Sequence, residues 1–141
     1  MAEEVAVGVK SVGAEAVLCN LDDCSLDQLP DYDGIIVGSP TYYGLVSGPI
    51  KVLFDRSIVH HGKLEGKVGG AFSSAGVIGG GSETAVLSII QMMLVHGMIV
   101  QGQSKGHHYG VVSIGAPDEK VIEQCRQLGK RTGALTLKLF G

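Results

Sequence analysis

Short apolar runs without polar alternation are the feature that most restricts the fold of this chain. Gly34–Gly38 (GIIVG) is one such run, and residues 67–73 (KVGGAFS) form another. A strand buried on both faces has this pattern, whereas a half-exposed strand alternates apolar and polar residues. Segments with helical spacing lie between the runs, so the sequence predicts an α/β fold with a parallel sheet covered on both faces.

The predicted elements follow the order α-β-β-α-β-α-β-α within one domain of residues 1–141, since a chain of this length suits a single domain. Helices are predicted at residues 2–12, 48–57, 82–96 and 117–140, with Ser82 as the N-cap of the third. Strands are predicted at residues 14–21, 34–38, 67–73 and 98–102, and a brief helical turn is predicted at residues 26–29.

Composition excludes several classes of protein. With 45% hydrophobic and 18% charged residues, the chain has the means to build a core, and a net charge of −3 gives no reason to expect nucleic-acid or membrane partners. The apolar stretch at residues 87–100 is too short and too polar to span a bilayer. Three cysteines without metal spacing, and no visible signal peptide, predict a cytoplasmic protein without a disulfide framework.

Three loops follow predicted strands, at residues 39–47, 74–81 and 103–109. Ligands of parallel sheets bind beyond the carboxyl ends of the strands, so these loops are the candidate site. The first carries Tyr42 and Tyr43, whose rings suit the wall of a flat aromatic ligand. The second is glycine-rich and leads into a helix, so its backbone amides favour an anionic or hydrogen-bonding ligand. It is not a Walker motif.

The same residues also permit structural interpretations. The two tyrosines suit a core edge or a subunit contact, and the glycine run suits a flexible connection. His96 near a helix C-terminus suits a purely electrostatic role. The pairs His60-His61 and His107-His108 have no cysteine or glutamate at ligand spacing, so no metal site is predicted. A strained GxSxG-type turn is missing too, so a serine hydrolase is not predicted.

The motifs GSPTYYGLVSGPIKVLFDR, GKVGGAFSSAGVIGGGSETAVLSIIQMMLVHGMIV and HYGVVSIGAPDE resemble the flavodoxin-like family, in particular its quinone-reductase branch of the tryptophan-repressor-binding-protein type. The resemblance implies a three-layer sandwich, bound FMN, NAD(P)H as electron donor, a quinone or redox partner as acceptor, and a homodimer or homotetramer. It implies no catalytic side chain, because the flavin carries the chemistry. The residues that it assigns to FMN are Ser39, Pro40, Thr41, Tyr42, Tyr43, Gly44, Ser73, Ser74, Ala75, Gly76, Val77, Gly79, Gly80, His96 and Tyr109.

One departure from the family concerns the start of the chain. Family members begin with an apolar strand and a phosphate loop of the form Ser/Thr-x-Thr-Gly-x-Thr, whereas Met1–Ala6 resembles the inside of the helix that follows. The sheet is therefore expected to lack its usual first central strand, between the strands at residues 14–21 and 34–38. Direct pairing of the two edges, a strand from a partner chain and an incomplete chain all stay open as explanations.

Three functions are consistent with this sequence. The leading hypothesis is an FMN-dependent NAD(P)H:quinone oxidoreductase that passes hydride through the flavin. The second is a flavodoxin-type electron carrier, for which five aspartates between residues 22 and 33 offer an acidic docking face. The third is a flavodoxin-like remnant that no longer binds FMN and has an assembly or regulatory role, since the phosphate loop is missing.

Overall fold

Five strands form one sheet in the computed structural model, which describes residues 1–141. Their order is β2-β1-β3-β4, and β5 pairs with β3 on the edge that β4 also uses. All pairs are parallel except the short β1–β2 hairpin, so the predicted parallel sheet is confirmed. The strands are β1 (Gly34–Tyr42), β2 (Leu45–Val46), β3 (Val68–Ala75), β4 (Ile99–Val100) and β5 (Val111–Ile114).

Helices cover both faces of this sheet. The four helices are α1 (Ala2–Lys10), α2 (Gly48–Arg56), α3 (Ser82–Val95) and α4 (Glu119–Phe140). Short 3₁₀ segments lie at Leu21–Asp23, Leu26–Asp31 and Ser57–His60. Helices α1 and α4 pack together over one face, and α3 packs on the other, which confirms the three-layer sandwich. None of the helices has the length and apolarity needed to cross a membrane.

Strand β1 separates two hydrophobic clusters by the alternation of its side chains. Ile35 and Val37 pack against the larger cluster beneath α3, and Ile36 packs against the smaller one beneath α1 and α4. The larger cluster consists of Leu29, Leu64, Ala71, Val86, Ile89, Met93 and Met98. The smaller one consists of Val5, Val111, Cys125 and Leu128.

The predicted strand at residues 14–21 is wrong. Residues 14–20 have no regular secondary structure, and the side chains of Val17 and Leu18 are more than half exposed. A strand requires a hydrogen-bonded neighbour, and this segment has none. Strand β1 is also half-buried along Gly34–Val37 rather than buried, because its edge opposite β3 is open there.

Other differences concern the boundaries of strands. The sequence predicted one strand at residues 98–102, but that edge of β3 is shared by β4 and β5, which are separated by an excursion at residues 101–110. Strand β5 was missed because it is short and contains the buried polar Ser113. Strand β1 runs to Tyr42, four residues beyond its predicted end, since the first loop begins as part of the sheet.

Glycines allow α1 and α4 to touch backbone to backbone. A Cβ atom built on Gly129 would lie 1.9 Å from the carbonyl oxygen of Val5, and one built on Gly8 would lie 2.0 Å from that of Arg126. Two helices can approach this closely only where neither carries a side chain at the crossing. The contact is flanked by a salt bridge between Arg126 and Glu4, with a Nε–Oε2 distance of 2.6 Å.

At the end of α3, His96 is joined to the 3₁₀ segment that follows α2. The Ser57 hydroxyl donates to the Phe54 carbonyl at 2.7 Å, so its oxygen accepts from His96 Nε2 at 2.7 Å. The imidazole therefore carries a proton on Nε2. Burial is the largest cause that lowers the pKa of His96, and the neighbouring His61 and His60 lower it further.

Substitution of Gly129 by alanine is expected to destabilise the protein. The new methyl group would force α1 away from α4, at a cost of about 1–3 kcal/mol that outweighs the gain of up to about 1 kcal/mol in helix propensity. Gly133→Ala is the matched control on the same helix, since its Cβ would lie 3.1 Å from the Val12 side chain and could be accommodated. Urea unfolding followed by circular dichroism measures both; equal unfolding midpoints would contradict this packing.

Acidification is expected to remove stability that His96 provides. The pKa of His96 is lower in the folded than in the unfolded protein, so the unfolded protein takes up the proton first as the pH falls. The contribution of His96 to the free energy of unfolding is therefore present above about pH 6.5 and is lost as the pH falls below it. His96→Gln keeps an N–H donor for Ser57 but does not titrate. Thermal unfolding at pH 7.5 and 5.5 should show a smaller loss for this variant than for the parent, and an identical loss would refute the assignment.

Candidate functional site

The first loop is a tight hairpin at the carboxyl edge of the sheet. Tyr43 and Gly44 join β1 to β2, and both have positive φ angles, 48° and 80°. Two central residues with positive φ are typical of the turn that matches the twist of paired strands. The turn projects the Tyr43 side chain fully into solvent, and the Tyr42 side chain is 62% exposed. The two rings therefore form an uncovered aromatic surface beside the strand ends.

Pairing between β1 and β3 brings the first and second loops together. Ser39 pairs with Ser73 in the parallel register, and the hydroxyl groups of Thr41 and Ser73 are 3.0 Å apart. The hydroxyl of Ser39 is buried, donates to the Pro40 carbonyl at 2.7 Å and accepts from the Ser47 N–H at 2.9 Å. The Ser39 hydroxyl therefore acts as both donor and acceptor within the protein, whereas the Thr41 side chain is partly exposed.

A contact between two glycines locks the hairpin to the start of α3. A Cβ on Gly81 would lie 2.5 Å from the Gly44 Cα, and the Thr84 hydroxyl contacts the carbonyls of both Gly44 and Gly81. Gly81 has a φ of 96° and caps α3, so the predicted N-cap at Ser82 is wrong by one residue. Sequence analysis also missed Thr84, although a threonine in the first turn of a helix is a recognisable bonding position.

The second loop presents both backbone and apolar side chains to solvent. Gly76 and Gly79 are exposed, and a Cβ built on either would meet no atom within 4 Å. Val77 and Ile78 project between them, at 66% and 90% exposure. This loop therefore combines accessible amide groups with an apolar surface next to the helix N-terminus of α3, an arrangement that suits a flat, polar-edged ring.

Two of the predicted site residues lie elsewhere. His96 follows the last turn of α3, and the 14 residues of that helix put it about 21 Å from the second loop. Tyr109 precedes Gly110, and Gly110 packs on the Ala71 carbonyl. Ala71 lies four residues before the end of β3, so this part of the chain is about 13 Å from the carboxyl edge of the sheet. Within one chain, residues 39–44 and 73–80 lie together at the carboxyl edge. His96 and Tyr109 lie outside this group.

Residues after β5 also reach this edge and were missed. The Gly115 N–H donates to the Ala75 carbonyl at 2.8 Å, and the Ser113 hydroxyl donates to the Gly115 carbonyl at 3.0 Å. Gly115 and Pro117 thus stand beside the end of β3. These residues were missed because the sequence prediction did not include β5, the strand that positions them.

A cavity of about 650 Å³ opens from these loops along β1. Ser39, Pro40, Ser73 and Ser74 form its carboxyl end, and the other lining residues are mostly apolar. Its volume lies within the range of small-molecule sites. Glu15 is its one acidic or basic side chain, so the cavity offers no cationic side chain to a phosphate.

These residues fit the ring of FMN better than its phosphate. Exposed aromatic rings and free loop amides are the groups that bind an isoalloxazine, and the structure places both at one edge. For the phosphate of FMN the chain offers less. The first turn of α1 carries Glu3 and Glu4, whose negative charges repel an anion.

Comparison with known proteins agrees with the fold. The model of the NADPH-dependent FMN reductase family matches residues 25–108. A flavodoxin of Aquifex aeolicus is 41% identical over 93% of this chain and 76% of its own length. An NAD(P)H dehydrogenase (quinone) of Archaeoglobus fulgidus is 37% identical over 80% of this chain and 64% of its own length.

Solved structures give the same result. An archaeal flavodoxin, 27% identical, superimposes with a TM-score of 0.79 over 96% of this chain and 87% of its own. The family match includes the first two loops and the strands that carry them. This chain therefore belongs to the NADPH-dependent FMN reductase family of flavodoxin-like proteins.

Proposed function

We propose that this protein is an FMN-dependent oxidoreductase of the NAD(P)H:quinone reductase type. The observation that carries the proposal is the joined pair of loops, in which an exposed tyrosine hairpin is fixed against a glycine-rich loop at the carboxyl edge. The quinone dehydrogenase name of the Archaeoglobus fulgidus relative supports the choice of activity. NAD(P)H is the proposed donor and a small quinone the proposed acceptor.

The residues of this chain would bind and orient the cofactor. Tyr42 or Tyr43 would pack against the flavin ring, and Thr41 with the amides of residues 74–79 would bond its polar edge. When bound, FMN supplies two-electron hydride transfer. The apolar side chains of Val77 and Ile78 would keep water from one side of the ring. His96 and Tyr109, given their positions, would reach a flavin only in a neighbouring subunit or after movement of the excursion at residues 101–110.

Reconstitution with FMN tests this function. We expect the purified protein to form a yellow complex, to unfold at a higher temperature with FMN, and to reduce a benzoquinone with NADH or NADPH. Ligand that binds the folded state raises the unfolding temperature by mass action. A colourless protein without FMN-dependent stabilisation, tested at millimolar FMN, would refute the proposal.

Tyr42→Leu is expected to weaken FMN binding by up to about tenfold. Leucine retains apolar contact but loses ring stacking, which contributes about 0.5–1.5 kcal/mol. Tyr109→Leu is the matched control, since Tyr109 is similarly exposed and lies away from the joined loops. Fluorescence titration with FMN measures both dissociation constants; a larger effect at Tyr109 would show that the excursion, and not the hairpin, holds the ring.

An electron carrier is the alternative, favoured by the flavodoxin name of the Aquifex aeolicus relative. The acidic residues expected to dock its partners are all exposed. However, Asp31 and Asp33 precede β1 and so lie at the amino edge, with most of the nine-residue strand, about 26 Å, between them and Tyr42. This separation counts against one acidic face around the site. A stable one-electron form on partial reduction would favour the carrier, and direct two-electron reduction would favour the reductase.

We also propose that the protein is a homo-oligomer that uses the amino-edge end of α3. Leu94 and Val95 are 57% and 82% exposed there, and Ile58 and Val59 are exposed beside the same Ser57–His96 bond. Helix α3 is apolar on most of its surface, which is typical of a helix covered on both sides. A subunit contact at this end would cover these four side chains.

Val95→Lys is expected to shift the protein towards the monomer. A charge placed in an apolar subunit contact would be costly to desolvate, whereas Leu139→Lys, at an exposed position on α4, serves as the control. Sedimentation velocity on the parent and both variants measures the change. A parent that sediments as a monomer, or an unchanged Val95→Lys variant, would contradict this contact.

A further inference from the structure

Five exposed apolar side chains surround the junction of the hairpin and the second loop. They form the apolar patch and are Tyr42, Tyr43, Leu45, Val77 and Ile78. Tyr43 and Ile78 are the two most exposed large hydrophobic side chains of the protein. Covering such side chains is favourable because apolar surface leaves water, so a cluster of them marks a binding surface.

Backbone contacts hold the two halves of the apolar patch together. Gly44 of the hairpin meets Gly81 at the start of α3. The Gly80 N–H donates to the Val77 carbonyl at 3.1 Å, and a Cβ built on Gly80 would lie 3.4 Å from a methyl carbon of Val77. The patch is therefore continuous from one loop to the other and is assembled before any ligand arrives.

The segments that build this edge contain no charged side chain. Residues 34–50, 68–82 and 109–117 include the carboxyl ends of β1, β3 and β5 with the loops that follow them. None of these residues is Asp, Glu, Lys or Arg, although such residues make up 18% of the chain. The apolar patch thus lies in a neutral surrounding on both loops.

The charged residues that follow these segments in sequence are each bonded locally. The Lys51 ammonium pairs with the Asp55 carboxylate at 2.5 Å. The Glu83 carboxylate accepts from the Ser82 hydroxyl at 3.0 Å, one residue away. The Asp118 carboxylate caps α4, where it accepts from a backbone N–H at 2.8 Å. None of the three is an unpaired charge for a ligand at the patch.

A neutral apolar surface selects its ligand by what it cannot stabilise. A charged group of the electron acceptor would lose water at the patch without gaining a partner, and a protein acceptor that docks by complementary charge finds none on these loops. A quinone fits, because reduction leaves it uncharged. It gains two electrons and two protons, as a hydride from NAD(P)H and a proton from water, and becomes a hydroquinone while NAD(P)⁺ is released.

We propose that the apolar patch is a subsite for a hydrocarbon substituent of the electron acceptor, which is an uncharged, alkyl-substituted quinone. The reaction part of this inference rests on the proposed function. The patch adjoins Thr41 and the loop amides that are proposed to bind the flavin, so a substituent there leaves the quinone ring next to the cofactor. The proposed subunit contact lies at the opposite edge of the sheet and leaves the patch free.

The test compares three quinones that differ in one substituent. All are 2,3-dimethoxy-6-methyl-1,4-benzoquinones, and carbon 5 carries a methyl, a hexyl or a 5-carboxypentyl group. Equilibrium dialysis with FMN present and NAD(P)H omitted measures binding without electron transfer. We expect the hexyl compound to bind at least tenfold more tightly than the methyl compound, which corresponds to burial of about two of its CH₂ groups. The carboxypentyl compound has the same number of carbons as the hexyl compound and should lose most of this gain, because its carboxylate would be desolvated.

A matched pair of variants locates the subsite. Ile78→Ser removes an apolar side chain that is 90% exposed, so the fold is retained, and it should lower the hexyl preference at least threefold. The preference is the ratio of the dissociation constants of the methyl and hexyl compounds, so an effect on the flavin itself cancels. Val7→Ser is the control, because Val7 is 51% exposed on α1, away from both loops, and this variant should keep the parent preference.

Steady-state reduction of the methyl and hexyl quinones separates this inference from the proposed function. Reduction of the methyl compound without a lower KM for the hexyl compound, or equal binding of the two, would overturn the subsite and leave the proposed function standing. Tight binding of the hexyl compound without reduction of any quinone would refute the proposed function and support the subsite.

Two other occupants of the apolar patch are outcomes of the same experiment. Sedimentation of the protein with phosphatidylcholine vesicles that is lost in Ile78→Ser would assign the patch to a lipid surface. A parent dimer that Ile78→Ser converts to a monomer would assign it to a second copy of the chain. Either result would overturn the proposal.

Discussion

Parallel pairing of β1 with β3 is the constraint on which the rest of the structure depends. It sets Ser39 opposite Ser73, and so it fixes the level at which two loops, far apart in sequence, leave the sheet. It also divides the interior in two, because the side chains of β1 alternate between the clusters beneath α3 and beneath α4. A shift of one residue would exchange these faces and separate the hydroxyl groups of Thr41 and Ser73.

Local patterns were sufficient to predict the paired strands β1 and β3, the four helices and the first two loops of the site. An apolar run ended by glycine identifies a buried strand, and GSPTYYG and SSAGVIGGG follow such runs directly. These signals work because turn formation and the side-chain pattern of a strand depend on residues that are close together in the sequence. The family resemblance added the identity of the ligand, which no spacing of tyrosines and glycines specifies alone.

Contacts between distant segments were beyond this kind of prediction. Gly8 and Gly129 look like weaknesses in their helices until each is seen to make room for the other helix. Residues 14–21 have the composition of a strand, but a strand forms only with a partner, and composition does not reveal whether a partner exists. His96 was assigned to the flavin by resemblance, whereas the length of α3 puts it at the opposite edge.

The contact of Gly44 with Gly81 has a consequence for how the site tolerates change. The shape of the candidate site is determined at a point where two main chains meet without side chains, so the positions most sensitive to substitution are these two glycines. Exposed residues such as Ile78 can vary and alter which molecules are accepted, while the frame stays fixed. Relatives with different substrates could therefore share this pair of glycines and differ in the side chains around it.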